Sequence, residues 1–225
     1  MPFPVMAARA ALVVVDMQND FVRVGAPQEV PDARATIPTI RRLVDRFHEL
    51  RRLVVYTRFV AGPRETLIWA WSPELAPPTR SFWPGVRRAY GDVDGEREGP
   101  AIVDELLPDA DDLVVDKYGY GAFHGTRLRD ALVAHDADTV VVVGTVTQIC
   151  VDETVRGAFE HGLRTVLVSD GVSSFDAELH RATLRNVAMK FGRVMSAAQV
   201  LDELGGAADT PATPDDDAEP GPRLG

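Results

Sequence analysis

The chain has 225 residues, of which 45% are hydrophobic, and a formal net charge of −10 from 34 acidic and 24 basic residues. This composition predicts one globular domain with a full core, and the acidic balance argues against a nucleic-acid-binding surface. A single cysteine excludes an intramolecular disulfide and favours a reducing compartment, so we expect a cytoplasmic protein. The sequence predicts neither a signal peptide nor a membrane span.

Apolar runs and amphipathic stripes alternate along the chain. The predicted strands are Ala10–Val15, Leu53–Thr57, Asp112–Val115, Val140–Val143, Arg164–Ser169 and Arg193–Met195. The predicted helices are Ala33–Arg51, Thr126–His135, the stretch from Gln148 to Gly162, Asp176–Phe191 and Ser196–Leu204. This alternation predicts an α/β protein with a parallel sheet and helices on both faces, a three-layer αβα sandwich.

A proline-rich segment, Arg58–Pro100, interrupts this alternation and contains all three tryptophans, Trp69, Trp71 and Trp83. Such long loops in compact domains are usually lids or binding loops, so we expect it to cover a site and to set specificity. A satellite core or a subunit contact is the open alternative. Four of its arginines are candidates to meet a substrate carboxylate; they are Arg64, Arg80, Arg87 and Arg88.

The chain divides into a domain over residues 1–204, which includes the irregular segment 58–100, and a tail over residues 205–225. The tail is rich in Gly, Ala, Pro and Asp. A composition with so few apolar residues cannot bury a core, and it therefore predicts a disordered acidic tail.

Three reactive side chains lie at or just past predicted strand ends: Asp16, Lys117 and Cys150, the last after a turn that begins at Gly144. The carboxyl ends of parallel strands share one edge of a sheet, where ligands bind. A carboxylate can take the proton of a thiol and an ammonium can stabilise a thiolate, so we expect Cys150 to react with a pKa below that of a free thiol. Each residue alone also has a structural explanation, as a turn acid, a solvated lysine or a small buried hydrophobe.

Three sequence blocks resemble those of the isochorismatase-like cysteine hydrolase superfamily. They are V-V-V-D-M-Q-N-D-F, D-K-Y-G-Y-G-A-F-H-G-T-R-L and G-T-V-T-Q-I-C-V-D-E-T-V-R-G-A-F-E-H-G. The resemblance implies a single domain with a six-stranded, mostly parallel, Rossmann-like sheet of order 3-2-1-4-5-6. It also implies an enzyme of the amidase branch, which cleaves a C–N bond of a small amide, carbamoyl or ureido compound through a Cys thioester.

The resemblance assigns a role to each reactive residue. Cys150 is implied to be the nucleophile, Asp16 the base and Lys117 the third member of a catalytic triad. A cis peptide bond is implied between Thr145 and Val146, and the backbone N–H groups of Val146 and Cys150 are implied to form an oxyanion hole. Phe21 matches an aromatic residue of the family's pocket. The further predicted substrate contacts are Tyr120 and Trp83.

The sequence departs from the family pattern at several positions. Gly121 replaces a common Ser, and Gly119 stands where carbamoyl-type members often have Arg, which disfavours a carbamoyl or ureido substrate. The Asp-x-His metal motif of nicotinamidases is missing after the second strand, so we expect no metal and no cofactor and disfavour nicotinamide. The histidines show no ligand spacing; they are His48, His124, His135, His161 and His180.

Two alternatives remain open at this stage. One is an isochorismate-type vinyl-ether hydrolase, whose chemistry uses an acid and needs no thiol. The other is a non-catalytic binding or assembly module of the same fold. For all of these we expect a small-molecule ligand, no nucleic-acid or membrane partner, and a homo-oligomer, either a dimer or a tetramer.

Overall fold

A computed structural model describes residues 3–62 and 64–205. Eight strands are present in this part of the chain. In order they are β1 (Ala10–Val15), β2 (Val54–Phe59), β3 (Arg87–Tyr90), β4 (Val93–Glu98), β5 (Leu113–Lys117), β6 (Thr139–Thr145), β7 (Arg164–Ser173) and β8 (Arg193–Met195). Six of these form the central sheet, and β3 and β4 pair with each other as a separate antiparallel hairpin.

The central sheet has the order β5-β2-β1-β6-β7-β8, and every pair in it is parallel. When the hairpin strands β3 and β4 are not counted, β5 is the third strand of the sheet along the chain and β6, β7 and β8 are the fourth to sixth. The predicted strand order 3-2-1-4-5-6 is therefore confirmed. Every residue of β1 and of β6 is buried. Burial on both faces explains why these two strands are continuous apolar runs rather than alternating ones.

Helices cover both faces of the sheet. They are α1 (Asn19–Val22), α2 (Ala33–Glu49), α3 (Ile68–Trp71), α4 (Leu128–Ala134), α5 (Asp152–Glu160), α6 (Ala177–Lys190) and α7 (Ala197–Gly205). The apolar stripe of α2, with Ile40, Leu43 and Phe47, packs with α7 into the core on one face. Leu128 of α4 and Val187 of α6 belong to the core on the other face. The predicted three-layer αβα architecture is confirmed.

Several strands extend further at their carboxyl ends than the apolar runs predict. The polar pair Arg58 and Asp116 continues the β2–β5 ladder, and the Arg58 Nε atom lies 2.7 Å from the Asp116 carboxylate. Phe59 then pairs with Lys117. At the edge of a sheet a polar side chain can be solvated while its backbone still pairs with the next strand. The apolar runs in the sequence therefore underestimate the length of these strands. Lys117 is consequently the last residue of β5.

The proline-rich segment is more regular than expected, because it contains α3 and the β3–β4 hairpin. Most of the side chains in both hairpin strands are exposed or half-buried. Their charged residues and Gly95 are unfavourable in strands, which explains why the sequence pattern misses the hairpin.

The predicted tail lies outside the described residues, apart from Gly205, which ends α7. None of the helices within residues 3–62 and 64–205 is long and apolar enough to cross a lipid bilayer.

Candidate active site

The carboxyl edge of the sheet brings three buried reactive side chains together. Asp16 follows β1, Lys117 ends β5, and Cys150 lies beyond the end of β6. Asp16 and Lys117 have no exposed surface, and Cys150 is 2% exposed. The Nζ atom of Lys117 lies 2.7 Å from Oδ2 of Asp16, so the lysine reaches across β2 to form a buried ion pair.

Asp16 is held in an unusual backbone conformation at the end of β1. Its φ angle is 49°, in the left-handed region that non-glycine residues rarely adopt. The Thr57 hydroxyl donates to Oδ1 of Asp16 at 2.7 Å, and the Asp16 N–H donates to the same hydroxyl at 3.2 Å. These two bonds fix the carboxylate in the site. Strained backbone held by its surroundings is frequent at functional sites.

Lys117 is fully buried and has three partners. Besides the Asp16 carboxylate, its ammonium donates to the carbonyl of Gly119 at 3.1 Å and lies 5.4 Å from the centre of the Phe59 ring. Burial acts against its charge, but the adjacent Asp16 carboxylate outweighs it, so the pKa of Lys117 is raised. The lysine is therefore a buried cation, and the explanation as a solvated loop residue is excluded.

Cys150 lies in a single π-helical turn, Thr147–Val151, that leads directly into α5. Such turns are rare and often occur at functional sites. The preceding peptide bond between Thr145 and Val146 is cis. Within the described residues, the Val146 N–H donates no hydrogen bond to another protein group.

The turn that carries Cys150 depends on Gly144. Its φ angle is +115°, and a Cβ atom built there would lie 2.0 Å from the carbonyl oxygen of Val15. A side chain at this position would therefore push β6 away from β1 and displace the nucleophile turn.

The Cys150 thiol has a raised pKa. Burial is the main cause, the Lys117 ammonium works in the opposite direction, and the Asp16 carboxylate raises it further. The expectation of a lowered pKa is therefore wrong. A buried thiolate loses its hydration, and the lysine charge is already paired with Asp16, so the attraction does not repay that loss. The resting thiol is neutral.

Cys150 lines a cavity of about 280 Å³. The residues that line it are Phe21, Gln28, Phe59, Ile68, Trp71, Ser72, Tyr120, Val146, Ile149, Cys150 and Phe175. Two of the three predicted substrate contacts, Phe21 and Tyr120, are in this set. The proline-rich segment contributes four members, Phe59, Ile68, Trp71 and Ser72, so it forms part of the cavity wall.

Trp83, the third predicted substrate contact, is not among the residues that line this cavity. Its indole N–H donates to the carbonyl of Leu75 at 2.7 Å, and its ring lies 5.8 Å from that of Trp69. The ring also covers Gly62, where a Cβ atom would lie 2.1 Å from it. Trp83 thus fills space behind α3, and Trp71, which is 85% exposed, lies at the cavity instead.

The four candidate arginines of the proline-rich segment, Arg64, Arg80, Arg87 and Arg88, are likewise absent from the described lining of the cavity. The Nε atom of Arg88 lies 2.8 Å from the buried carboxylate of Asp20, and Arg87 donates to the carbonyl of Glu96. The suggestion that these arginines meet a substrate carboxylate is therefore not supported by their positions.

The residues after Asp16 hold the proline-rich segment in place, a role that the sequence does not reveal. The buried Gln18 amide donates to the carbonyls of Phe59 and Pro100, each at 2.9 Å, and accepts from the Phe59 N–H. One side chain therefore joins both ends of the segment to the body of the domain.

Asp20 adds a second connection. Its buried carboxylate accepts from the backbone N–H of Phe82, the hydroxyl of Tyr90 and the Arg88 side chain. Asp20 and Gln18 occur in the same short block as Asp16. The block that carries the reactive carboxylate thus also fixes the wall of the cavity.

The isochorismatase domain family matches residues 10–199 of the chain. The protein belongs to the isochorismatase family. Enterobactin synthase component B of Escherichia coli is 30% identical over 194 residues, which are 86% of this chain and 62% of that protein. Maleamate amidohydrolase of Pseudomonas putida is 27% identical over 198 residues, or 87% of each chain.

A solved structure shares the fold of this isochorismatase-family chain. The cysteine hydrolase from Pseudomonas syringae pv. phaseolicola superimposes with a TM-score of 0.79 at 25% identity, over 89% of this chain and 94% of that one.

Metal ligands are not clustered in the part of this isochorismatase-family chain that the structure describes. No group of three or more His, Cys, Asp or Glu side chains there is arranged to hold an ion. His124, the histidine nearest in sequence to Lys117, is exposed and does not line the cavity.

Proposed function

We propose that the protein is a cysteine hydrolase that cleaves the C–N bond of a small-molecule amide through a thioester at Cys150. The observation that carries this proposal is a thiol in the wall of a cavity, next to a buried carboxylate–ammonium pair. Relatives named as an amidohydrolase and as a cysteine hydrolase support the same class. Carbamoyl and ureido compounds are disfavoured by Gly119 and Gly121.

The reaction begins with a proton transfer. Asp16 takes the proton from the neutral thiol while the sulfur attacks the carbonyl carbon, so an S–C bond forms and the carbonyl π electrons move to oxygen. Lys117 compensates the negative charge that this step moves from the carboxylate to the substrate oxygen. A base is required because the thiol pKa is raised and little thiolate exists beforehand.

The tetrahedral oxyanion accepts hydrogen bonds from the backbone N–H groups of Val146 and Cys150, and each such donor contributes about 3 kcal/mol in comparable enzymes. Protonated Asp16 then gives its proton to the amine as the C–N bond breaks. The amine leaves, and Cys150 carries the acyl group. Water, deprotonated by Asp16, hydrolyses the thioester and restores the thiol.

Mass spectrometry of the intact protein after exposure to an amide panel tests this proposal. We expect an acyl adduct on Cys150, and we expect Asp16→Asn to abolish it because the proton acceptor is gone. Asp116→Asn is the matched control, since Asp116 is an exposed acid of β5 that pairs with Arg58. Failure of every amide to form an adduct would favour the non-catalytic module.

The vinyl-ether alternative makes a different prediction for the same residues. That chemistry needs an acid and no thiol, so Cys150→Ala would keep the activity. Amide hydrolysis requires the thiol, and we expect Cys150→Ala to abolish turnover. The cytoplasmic location and the dimeric or tetrameric state remain predictions, and size-exclusion chromatography with light scattering tests the latter.

A further inference from the structure

We propose that the cavity selects amides whose acyl group is uncharged and mainly apolar, and that Gln28 supplies a hydrogen bond to that group. This inference rests on the proposed function, because the acyl group is the part of the amide that the thioester would retain. It names the substrate class and one specificity-determining residue.

The chemistry of the cavity wall is the first basis for this inference. Eight of its eleven described lining residues are aromatic or aliphatic, and none carries a charge. The other three are Gln28, Ser72 and Cys150. A carboxylate placed in such a cavity would lose its hydration without gaining a cation, which is strongly unfavourable. An apolar acyl group would instead gain by leaving water.

Two buried or half-buried cations outside the lining already have partners. Lys117 pairs with Asp16 at 2.7 Å, and Arg88 pairs with the buried Asp20. Each of these carboxylates has no exposed surface, so separating the pair to bind a substrate anion would leave a buried charge unpaired. The described lining of the cavity therefore offers a substrate carboxylate no cation.

The aromatic wall is also fixed in shape. Phe82, which is fully buried, lies behind the wall with its ring centre 4.4 Å from that of Phe21 and 5.4 Å from that of Phe59. Tyr120 packs against Phe59 from another side, with the ring centres 6.3 Å apart. Close-packed rings resist displacement, so this side of the cavity keeps its shape when a ligand binds.

Gln28 supplies the one side-chain amide among the described residues of this wall. It is half-buried, its backbone N–H donates to the carbonyl of Asp20, and its side-chain amide has no hydrogen bond to any described residue. A primary amide that lines an apolar cavity can donate to or accept from one neutral polar atom of a ligand. It therefore orients an uncharged substrate without favouring an anion.

Two pairs of amides, matched in shape but not in charge, test the inference: para-toluamide against terephthalamate, and pentanamide against glutaramate. We expect kcat/KM to favour the neutral member of each pair by at least about 100-fold, because the carboxylate would be buried unpaired. Calorimetric titration of the Cys150→Ala protein measures the same preference in binding, independently of catalysis.

The outcomes separate the two proposals. Equal or better use of the anionic amides, with an adduct on Cys150, would overturn the neutral preference while the amidase function stands. A neutral preference in binding without any adduct would support the inference and refute the amidase function. Binding of none of the four probes would overturn the assignment of the cavity to this ligand class.

A charge substitution tests whether the cavity wall determines the preference for neutral amides. Gln28→Lys places a cation in the wall and should move the preference at least about tenfold toward terephthalamate. Ala134→Lys adds the same charge at an exposed position of α4 and should leave the ratio unchanged. If circular dichroism shows that Gln28→Lys does not fold, Ser72→Lys is measured in its place. An unchanged ratio of kcat/KM for the neutral and anionic amides in the folded variant would show that the cavity wall does not set the charge preference.

Discussion

Replacing Lys117 by Met tests the buried ion pair most directly. The ammonium has no exposed surface and lies 2.7 Å from the equally buried Asp16 carboxylate. Methionine fills most of the volume of the lysine stem, so little packing is lost. What remains is a buried carboxylate without its cation, and removing one partner of such a pair typically costs about 3–5 kcal/mol.

Urea unfolding at neutral pH measures this cost. A domain of this kind has a total stability of about 5–15 kcal/mol, so a loss of 3–5 kcal/mol gives a large shift in the unfolding midpoint. Lys190→Met is the matched control. Lys190 is the only other lysine of the chain, and it is exposed at the end of α6, so we expect its substitution to change the free energy of unfolding by no more than about 0.5 kcal/mol.

A double-mutant cycle with Asp16→Asn isolates the contribution of the Asp16–Lys117 charge pair to the free energy of unfolding. Once the carboxylate is replaced by an amide, removing the lysine no longer leaves a buried charge, and the double variant should be more stable than Lys117→Met alone. We expect a coupling energy of at least about 2 kcal/mol. Loss of less than about 1 kcal/mol in Lys117→Met, or additive effects in the cycle, would refute the buried pair.

Four further predictions follow from single positions. Alkylation of Cys150 by iodoacetamide should titrate above the value of about 8.5 for a free thiol; a plateau below that pH would contradict the raised pKa of the thiol. Trp71→Ala should change kcat/KM by at least about tenfold without changing the melting temperature, whereas Trp83→Ala should act on stability alone. Gly144→Ala should destabilise by about 3 kcal/mol or more because the position combines a positive φ with a backbone clash, measured by thermal unfolding. The Arg193 side chain lowers the pKa of Glu203. Because both side chains are partly exposed, Glu203→Gln should cost only about 1 kcal/mol at neutral pH. The difference from the wild-type protein should vanish as acid protonates Glu203 below about pH 4.

The sequence by itself determined the layers of the fold and the order of the elements. Runs such as Ala10–Val15 are apolar on both faces, and only a strand covered by helices on both sides satisfies that pattern. It also determined that Asp16, Lys117 and Cys150 would meet. Each follows or ends a parallel strand, and all carboxyl ends of such strands lie at one edge. These conclusions depend on local periodicity and on connectivity, both of which can be read along the chain.

Only the tertiary structure decided which side chains of the proline-rich segment face the cavity. Trp71 and Trp83 belong to the same composition-biased stretch, and no local pattern separates them. Their directions depend on distant anchors, the Gln18 amide and the Asp20 carboxylate, which fix the segment through hydrogen bonds more than 40 residues away in the chain. Contacts of that range leave no periodic signal in the sequence.

The tertiary structure also decided the protonation state of the Cys150 thiol. Sequence spacing places an acid and a base near Cys150, but it does not give the burial of the thiol or show that Lys117 is already paired with Asp16. Desolvation and charge pairing are properties of three-dimensional surroundings, and here they raise the thiol pKa where the sequence alone predicted a decrease.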